Sequence, residues 1–155
     1  MRLTNRPALP SDAGFARHAH HAAYHDVVVR QFGSWDQPLQ DEFFDKDWAT
    51  GQFQILQCDG APCGYISVVD HPDCVHVREL VVLPEFQGRG IGTAVLRETI
   101  EHARARWVPV KLGVLHRNQA INLYRRVGFT ECGRTETHVL MEWRANPPSQ
   151  QPESG

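Results

Sequence analysis

The stretch Gln87-Gly88-Arg89-Gly90-Ile91-Gly92 constrains this chain more than any other feature. It follows the apolar, β-branched run Val75 to Val82 and opens into the helical run Thr93 to Arg106. A strand that ends in a glycine-dense turn and enters a helix makes an anion site. Backbone N–H groups leave the turn unpaired, and the helix dipole adds positive potential at the same place. A Cβ at the glycine positions would hold a diphosphate away from that backbone. The sequence therefore points to a phosphate-bearing cofactor.

Around this turn the chain alternates strand and helix signals. Arg2 to Arg6 reads as a first strand, and Pro10-Ser11-Asp12 starts a helix over Ala13 to Gln31 that ends at Phe32-Gly33. A loop holding Trp35 and Pro38 leads into a second helix, Leu39 to Trp48. Gln52 to Cys58 alternates apolar and polar residues, and Cys63 to Val69 returns after the turn Asp59-Gly60-Ala61-Pro62. His71-Pro72-Asp73 turns into the strand Val75 to Leu83. The glycine turn and third helix come next, then a strand at Pro109 to Leu115 and a fourth helix from Asn118 to Gly128. Phe129 to Gly133 and Thr137 to Trp143 complete the pattern. Hairpins first and strand–helix alternation afterwards predict one α/β (α+β) domain over residues 1–144. Its sheet is mixed and mostly antiparallel, with helices on both faces. Residues 145–155, rich in Pro, Ser and Gln, read as a disordered tail.

With 155 residues there is room for one core, and a formal net charge of −2 leaves no basic footprint for nucleic acid. No apolar run is long enough to span a membrane, and the first residues show no signal-peptide h-region. Four cysteines, Cys58, Cys63, Cys74 and Cys132, form no C-x-x-C pair. Reduced thiols in a cytoplasmic protein are expected, with a Cys58–Cys63 contact across the hairpin as the minor alternative.

A dinucleotide fold would place G-x-G-x-x-G in the first strand–helix unit, with a carboxylate about twenty residues later. Here Thr93 stands at the third glycine, an antiparallel hairpin precedes the motif, and Val110-Lys111-Leu112 offers no such carboxylate. A triphosphate P-loop fails for want of Gly-Lys-Ser/Thr. The segment Leu80 to Ala94 instead resembles the acetyl-CoA-binding motif of the GNAT superfamily of N-acetyltransferases, Gln/Arg-x-x-Gly-x-Gly/Ala, at Gln87, Gly90 and Gly92. A second motif of that family is met by Asn118, Ile121, Leu123, Tyr124, Gly128 and Phe129.

The resemblance implies acetyl-CoA as cofactor, its diphosphate on the N–H groups of Gly88, Arg89, Gly90, Ile91, Gly92 and Thr93 after Gln87. The pantetheine arm would lie along Leu80, Val81 and Val82 like an added strand, where the central strands splay at a bulge. The thioester carbonyl would be polarised by backbone N–H groups near Val81. Asn118 would contact the pantetheine or cap its helix, and both roles can coexist. Tyr124 would protonate the leaving sulfur, against a plain packing role in the core. Glu79 reads either as the base or as a salt-bridge partner of Arg78. His76 is the alternative base, and water-mediated deprotonation would need neither.

By the same resemblance the acceptor site is built from the first two helices, their loop and a late strand. That region offers Tyr24, Asp26, Trp35, Asp36, Phe43 and Phe44, with His138 bordering it. Aromatics with carboxylates suit a small cationic amine, although Phe43 and Phe44 are as well suited to helix packing. A small-molecule or peptide amine is the expected partner, without nucleic acid or membrane, and a homodimer fits the family's habit. His18, His21 and His25 fall on one helix face at i, i+3, i+7, yet no second set of ligands converges on them, so no metal is expected. No cysteine stands in the motifs, which favours direct transfer over an acyl-enzyme. A non-catalytic CoA-binding sensor and a nicotinamide-dinucleotide binder are the competing readings.

Overall fold

A computed structural model describes residues 1–145. The expected tail lies outside the described residues apart from Ala145, which packs against the core. Seven strands form one sheet in the order β1-β2-β3-β4-β5-β7-β6. They are β1 (Leu3–Pro7), β2 (Phe53–Cys58), β3 (Ala61–Asp70), β4 (Val75–Val82), β5 (Val110–Leu115), β6 (Thr130–Arg134) and β7 (His138–Trp143). The helices are α1 (Ala13–Phe32), α2 (Gln37–Trp48), α3 (Ile91–Arg106) and α4 (Ala120–Arg126). Every strand pair is antiparallel except β4 with β5. The mixed, mostly antiparallel sheet with helices on both faces is therefore present.

Three helix starts differ from expectation, each for a local reason. Pro38 lies inside the first turn of α2 rather than in the preceding loop. A proline lacks only an N–H that the first turn leaves unpaired, and Asp36 caps the helix by accepting from Leu39 N–H at 3.1 Å. Helix α3 starts at Ile91, because Gly90 takes a left-handed conformation (φ 79°) and hands the chain straight into the helix. Helix α4 starts at Ala120, since Asn118 spends its side chain accepting from the Ala120 N–H at 2.9 Å.

Two cores sandwich the sheet. Beneath α3 and α4 lie Val75, Val77, Val95, Leu96, Ile100, Leu112, Phe129 and Met141. Cys58 and Cys63 are free, buried thiols in this layer, and burial pushes the Cys63 thiol up to about 11. The opposite layer, under α1 and α2, holds Ala16, Ala19, Phe44, Phe53, Ile55, Tyr65 and Val81. Small alanines on α1 let the helix approach the sheet closely, and Phe44 fills the gap beside it. Burying each large side chain contributes about 1.5–3 kcal/mol.

Strand β4 belongs to both layers because it carries a bulge. Ser67 pairs with Glu79 and Val68 with Val77, so Arg78 is the extra residue. Before it, Val75 and Val77 face α3. After it, Leu80 and Val82 take that face, while Glu79 and Val81 turn toward α1 and α2. The family resemblance placed the bulge near Leu80 to Val82, and it lies at Arg78 instead. The same irregularity sends the strands apart. Strand β4 pairs with β5 only from Val75 to Val77, against Val110 to Leu112, and the remainder of both strands is unpaired with the other.

Candidate active site

The parted strands open a cavity of about 780 Å³ lined by Tyr24, Asp47, Glu79, Leu80, Asn118 and Tyr124, among others. A groove of about 630 Å³ lies on the other side, running over Leu80, Val82 and the glycine turn to Gly92 and Thr93. Leu80, Val82, Gln87, Asn118 and Tyr124 line both, so the two spaces meet where the sheet is split.

The backbone of β4 supplies the floor of the split. Leu83 donates to the carbonyl of Cys63 at 2.8 Å, and an antiparallel ladder alternates. Val81 therefore turns its backbone groups toward Tyr65 on β3, while Leu80 and Val82 turn theirs toward the space that β5 has vacated. The outward backbone groups thus belong to Leu80 and Val82, not to Val81, and of these the Val82 carbonyl is already engaged. Gln87 donates its side-chain N–H to the Val82 carbonyl at 3.0 Å, bracing the turn against the strand.

In the turn itself, Gly88 and Gly90 both have φ near 79°, and a Cβ on either would meet nothing within 4 Å. Their backbone faces open space, as close approach of an anion requires. Gly92 has a different duty: a Cβ there would come within 2.9 Å of Leu123 Cδ2, so its small size lets α3 pack on α4. Arg89 does not turn its side chain into the groove. Its guanidinium lies 5.0 Å from the centre of the Phe86 ring and donates to the Glu85 carbonyl at 3.3 Å.

Glu79 stands on the α1/α2 side of the split. Its carboxylate accepts from the Tyr65 hydroxyl at 2.7 Å. Burial pushes its pKa up to about 8, and the neighbouring Asp47 carboxyl adds to the rise. Asp47, from the last turn of α2, is itself held by Arg78 at 2.6 Å. Arg78 therefore pairs with Asp47, across to the helix, rather than with Glu79. Tyr124 is buried on α4, and desolvation raises its phenol to about 12. No described side chain hydrogen-bonds the Tyr124 hydroxyl, which lies within electrostatic reach of Glu79. Tyr24 completes this group from α1, its phenol also raised by burial and by Glu79.

Other expected residues fall elsewhere. His76 precedes the bulge, stands outside the cavity and packs on His71 with ring centroids 6.1 Å apart. Trp35 also stays outside: its indole donates to Gln37 at 2.8 Å and its ring lies against His21 and His25. Phe44 is fully buried core, whereas Phe43 and Asp36 line the cavity. His138 lines it as well, bonded to the Thr137 hydroxyl at 2.7 Å, and burial lowers its pKa. Of the three histidines His18, His21 and His25, His21 is engaged by Asp41 at 2.7 Å, and no group of three or more ligating side chains that could hold a metal occurs among the described residues. No helix of the described residues is long and apolar enough to cross a membrane.

Sequence reasoning passed over Tyr65, Asp47 and His20, which also lines the cavity. None sits in a motif: Tyr65 reaches Glu79 across a strand pair, and Asp47 and His20 arrive from helices. Burial does not single out Tyr65 either, since Cys63 to Ser67 are all buried in β3.

Comparison with known proteins agrees with this geometry. Residues 17–129 match the family model described as acetyltransferase (GNAT) family. An uncharacterised N-acetyltransferase of Methanocaldococcus jannaschii is 35% identical over 95 residues, covering 59% of this chain and 40% of that protein. The spermidine N(1)-acetyltransferase of Escherichia coli K12 is 27% identical over 85 residues, 51% of this chain and 45% of that enzyme. The chain thus spans less than half the length of these curated relatives. The fold matches a Thermoplasma acidophilum PaiA N-acetyltransferase in complex with coenzyme A, with TM-score 0.76, 15% identity and coverage of 94% and 100%. It also matches the ribosomal-protein-S18-alanine N-acetyltransferase of Escherichia coli, with TM-score 0.67, 20% identity and coverage of 97% and 99%. With its split sheet, its glycine turn and a family match over most of its length, this chain belongs to the GNAT acetyltransferase family.

Proposed function

We propose that this protein transfers an acetyl group from acetyl-CoA to a primary amine, directly, with both substrates bound at once. The observation that carries the proposal is the meeting of two spaces at the split between β4 and β5, with Tyr124 lining both and Glu79 on one side. The groove past Gly88 and Gly90 suits the diphosphate, and the outward backbone groups of Leu80 and Val82 suit the amide-bearing pantetheine. The thioester brings the activated acetyl group and its own leaving thiolate.

The remaining steps fall to the chain's own residues. Glu79 accepts a proton from the acceptor ammonium, a task for which a group with a pKa near 8 is well matched. Tyr124, held protonated across the neutral range, supplies a proton to the departing sulfur. The outward N–H groups of Leu80 and Val82 are the donors available for negative charge on the carbonyl oxygen. None of the four cysteines lines either space, which favours direct transfer over an acyl-enzyme.

The acceptor end is acidic. Asp36 and Asp47 line it with Arg78, which is paired to Asp47, and Glu79 adds a negative charge as pH rises toward about 8, beside Tyr24 and Phe43. A small amine with a positive charge fits this lining through ionic and cation–π contacts. The test is thiol release from acetyl-CoA across an amine panel, with mass analysis of each amine. Acetylation of cationic amines supports the proposal. CoA binding without transfer to any amine would leave a sensor in its place.

A further inference from the structure

His20, His21 and Asp41 form a connected chain from the acceptor cavity to the outside of the molecule. Nδ1 of His20 lies 2.9 Å from Nδ1 of His21, and Nε2 of His21 lies 2.7 Å from the Asp41 carboxylate. Exposure rises along this path, from 6% at His20 to 16% and 35% at the side chains of His21 and Asp41. Two further partners hold the outer end: Arg17 donates to Asp41 at 3.2 Å and to Asp45 at 2.5 Å.

The contacts dictate where the hydrogens lie. An ionised carboxylate only accepts, so His21 carries its hydrogen on Nε2. With that ring neutral, its Nδ1 is a lone pair, and the His20 contact is a hydrogen bond only if His20 carries its hydrogen on Nδ1. Nε2 of His20 is then a bare lone pair. No described protein group bonds it, it is not fully buried, and His20 lines the cavity. The lone pair is therefore free to take a proton.

We infer that His20, His21 and Asp41 are the proton outlet of the acceptor cavity. The inference rests on the reading of that cavity as an acceptor site. The O–H bond of protonated Glu79 breaks and its proton passes through the cavity to form a bond to Nε2 of His20. The Nδ1–H bond of His20 breaks as a new bond forms to Nδ1 of His21. Positive charge then rests on His21 against Asp41; its Nε2–H bond breaks as that proton passes to water, and both rings regain their first tautomers by exchange with water before the next turnover. The buried ring never has to stay charged, which agrees with its surroundings. Burial and, once it holds the proton, His21 push the His20 pKa down to about 4, Arg17 acts in the same direction, and Asp47 and Asp41 oppose it. His20 packs against Tyr24 and Phe44, with ring centroids 4.8 and 5.8 Å away, which fixes its direction.

Two measurements on the intact protein decide the matter. Nitrogen-15 spectra of the histidine rings should show His20 with hydrogen on Nδ1 and a bare Nε2, the minor form of free histidine. Hydrogen on Nε2 of His20 would overturn the inference. His21→Ala, which leaves the cavity wall intact, should lower kcat roughly ten-fold with the KM of both substrates unchanged, and added imidazole should restore it in a saturable way. Turnover at the wild-type rate, or a loss that imidazole does not restore in a folded variant, would also overturn it. Should His21→Ala not fold, Asp41→Asn serves with the same expected pattern and a smaller loss. A wild-type chain that acetylates no amine removes the acceptor reading and the outlet together; an active wild type with unaffected variants removes the outlet alone.

Discussion

At the scale of single residues, two groups with opposite needs share one split in the sheet. In the proposed reaction Glu79 takes a proton and Tyr124 gives one; burial raises both, Glu79 to about 8 with Asp47 adding to the rise and Tyr124 to about 12, so only Glu79 titrates near neutrality. Tyr124→Phe should lower kcat by about ten- to a hundred-fold while acetyl-CoA affinity, read by calorimetry, stays within two-fold. Glu79 also makes a stability prediction. Its folded pKa lies above its unfolded value, so the stability it contributes is full below about pH 4.5 and is lost as pH rises through about 8. Glu79→Gln cannot ionise. It should melt close to wild type at pH 5 and be more stable than wild type at pH 8.5, by more than about 1 kcal/mol. The sequence exposed Glu79 as a carboxylate in an apolar strand but could not show its face, which the Arg78 bulge decides. Tyr65, Asp47 and His20 were illegible for a related reason: each becomes part of the site only through pairing or packing with a distant element.

At the scale of elements, three glycines that look alike in sequence do three different things. Gly64 lies so close to β4 that a Cβ would sit 2.0 Å from the Val81 carbonyl oxygen. Gly64→Ala should cost about 2–3 kcal/mol of stability by forcing two paired strands apart, visible as a lower denaturation midpoint. Gly90 faces open space at φ 79°, so Gly90→Val should strain the backbone by only about 1–2 kcal/mol and leave the domain folded. It should nonetheless abolish measurable CoA binding by calorimetry, since the side chain would occupy the space the phosphates need. Gly92 keeps α3 against α4. The order of elements was legible because turn chemistry and periodicity mark it locally. Their junctions were less so, as Pro38 and Asn118 show: each serves the helix that follows, by tolerating its first turn or by capping it.

At the scale of the whole molecule, the sheet is continuous at one end and divided at the other. The parallel pairing of β4 with β5 lasts from Val75 to Val77, and β7 then sits between β5 and β6. That order is not readable from periodicity, because β7, the last strand in the chain, pairs with both β5 and β6, and periodicity marks strands but not their neighbours. On the proposed function, the division would give one chamber to the acceptor and one groove to the donor. The chamber's acidic lining should make KM for a cationic amine rise with ionic strength while KM for acetyl-CoA responds through the glycine turn instead. A KM for the amine that is flat from low to high salt would remove ionic attraction from acceptor recognition.

A crystal structure with coenzyme A bound tests the shared claim behind these expectations most directly. The diphosphate should rest on backbone N–H groups between residues 88 and 93, with the pantetheine beside Leu80 and Val82 and the sulfur near Tyr124. Coenzyme A found away from the gap between β4 and β5, or bound there with its sulfur remote from Tyr124, would contradict the placement of the donor and of the chemistry built upon it.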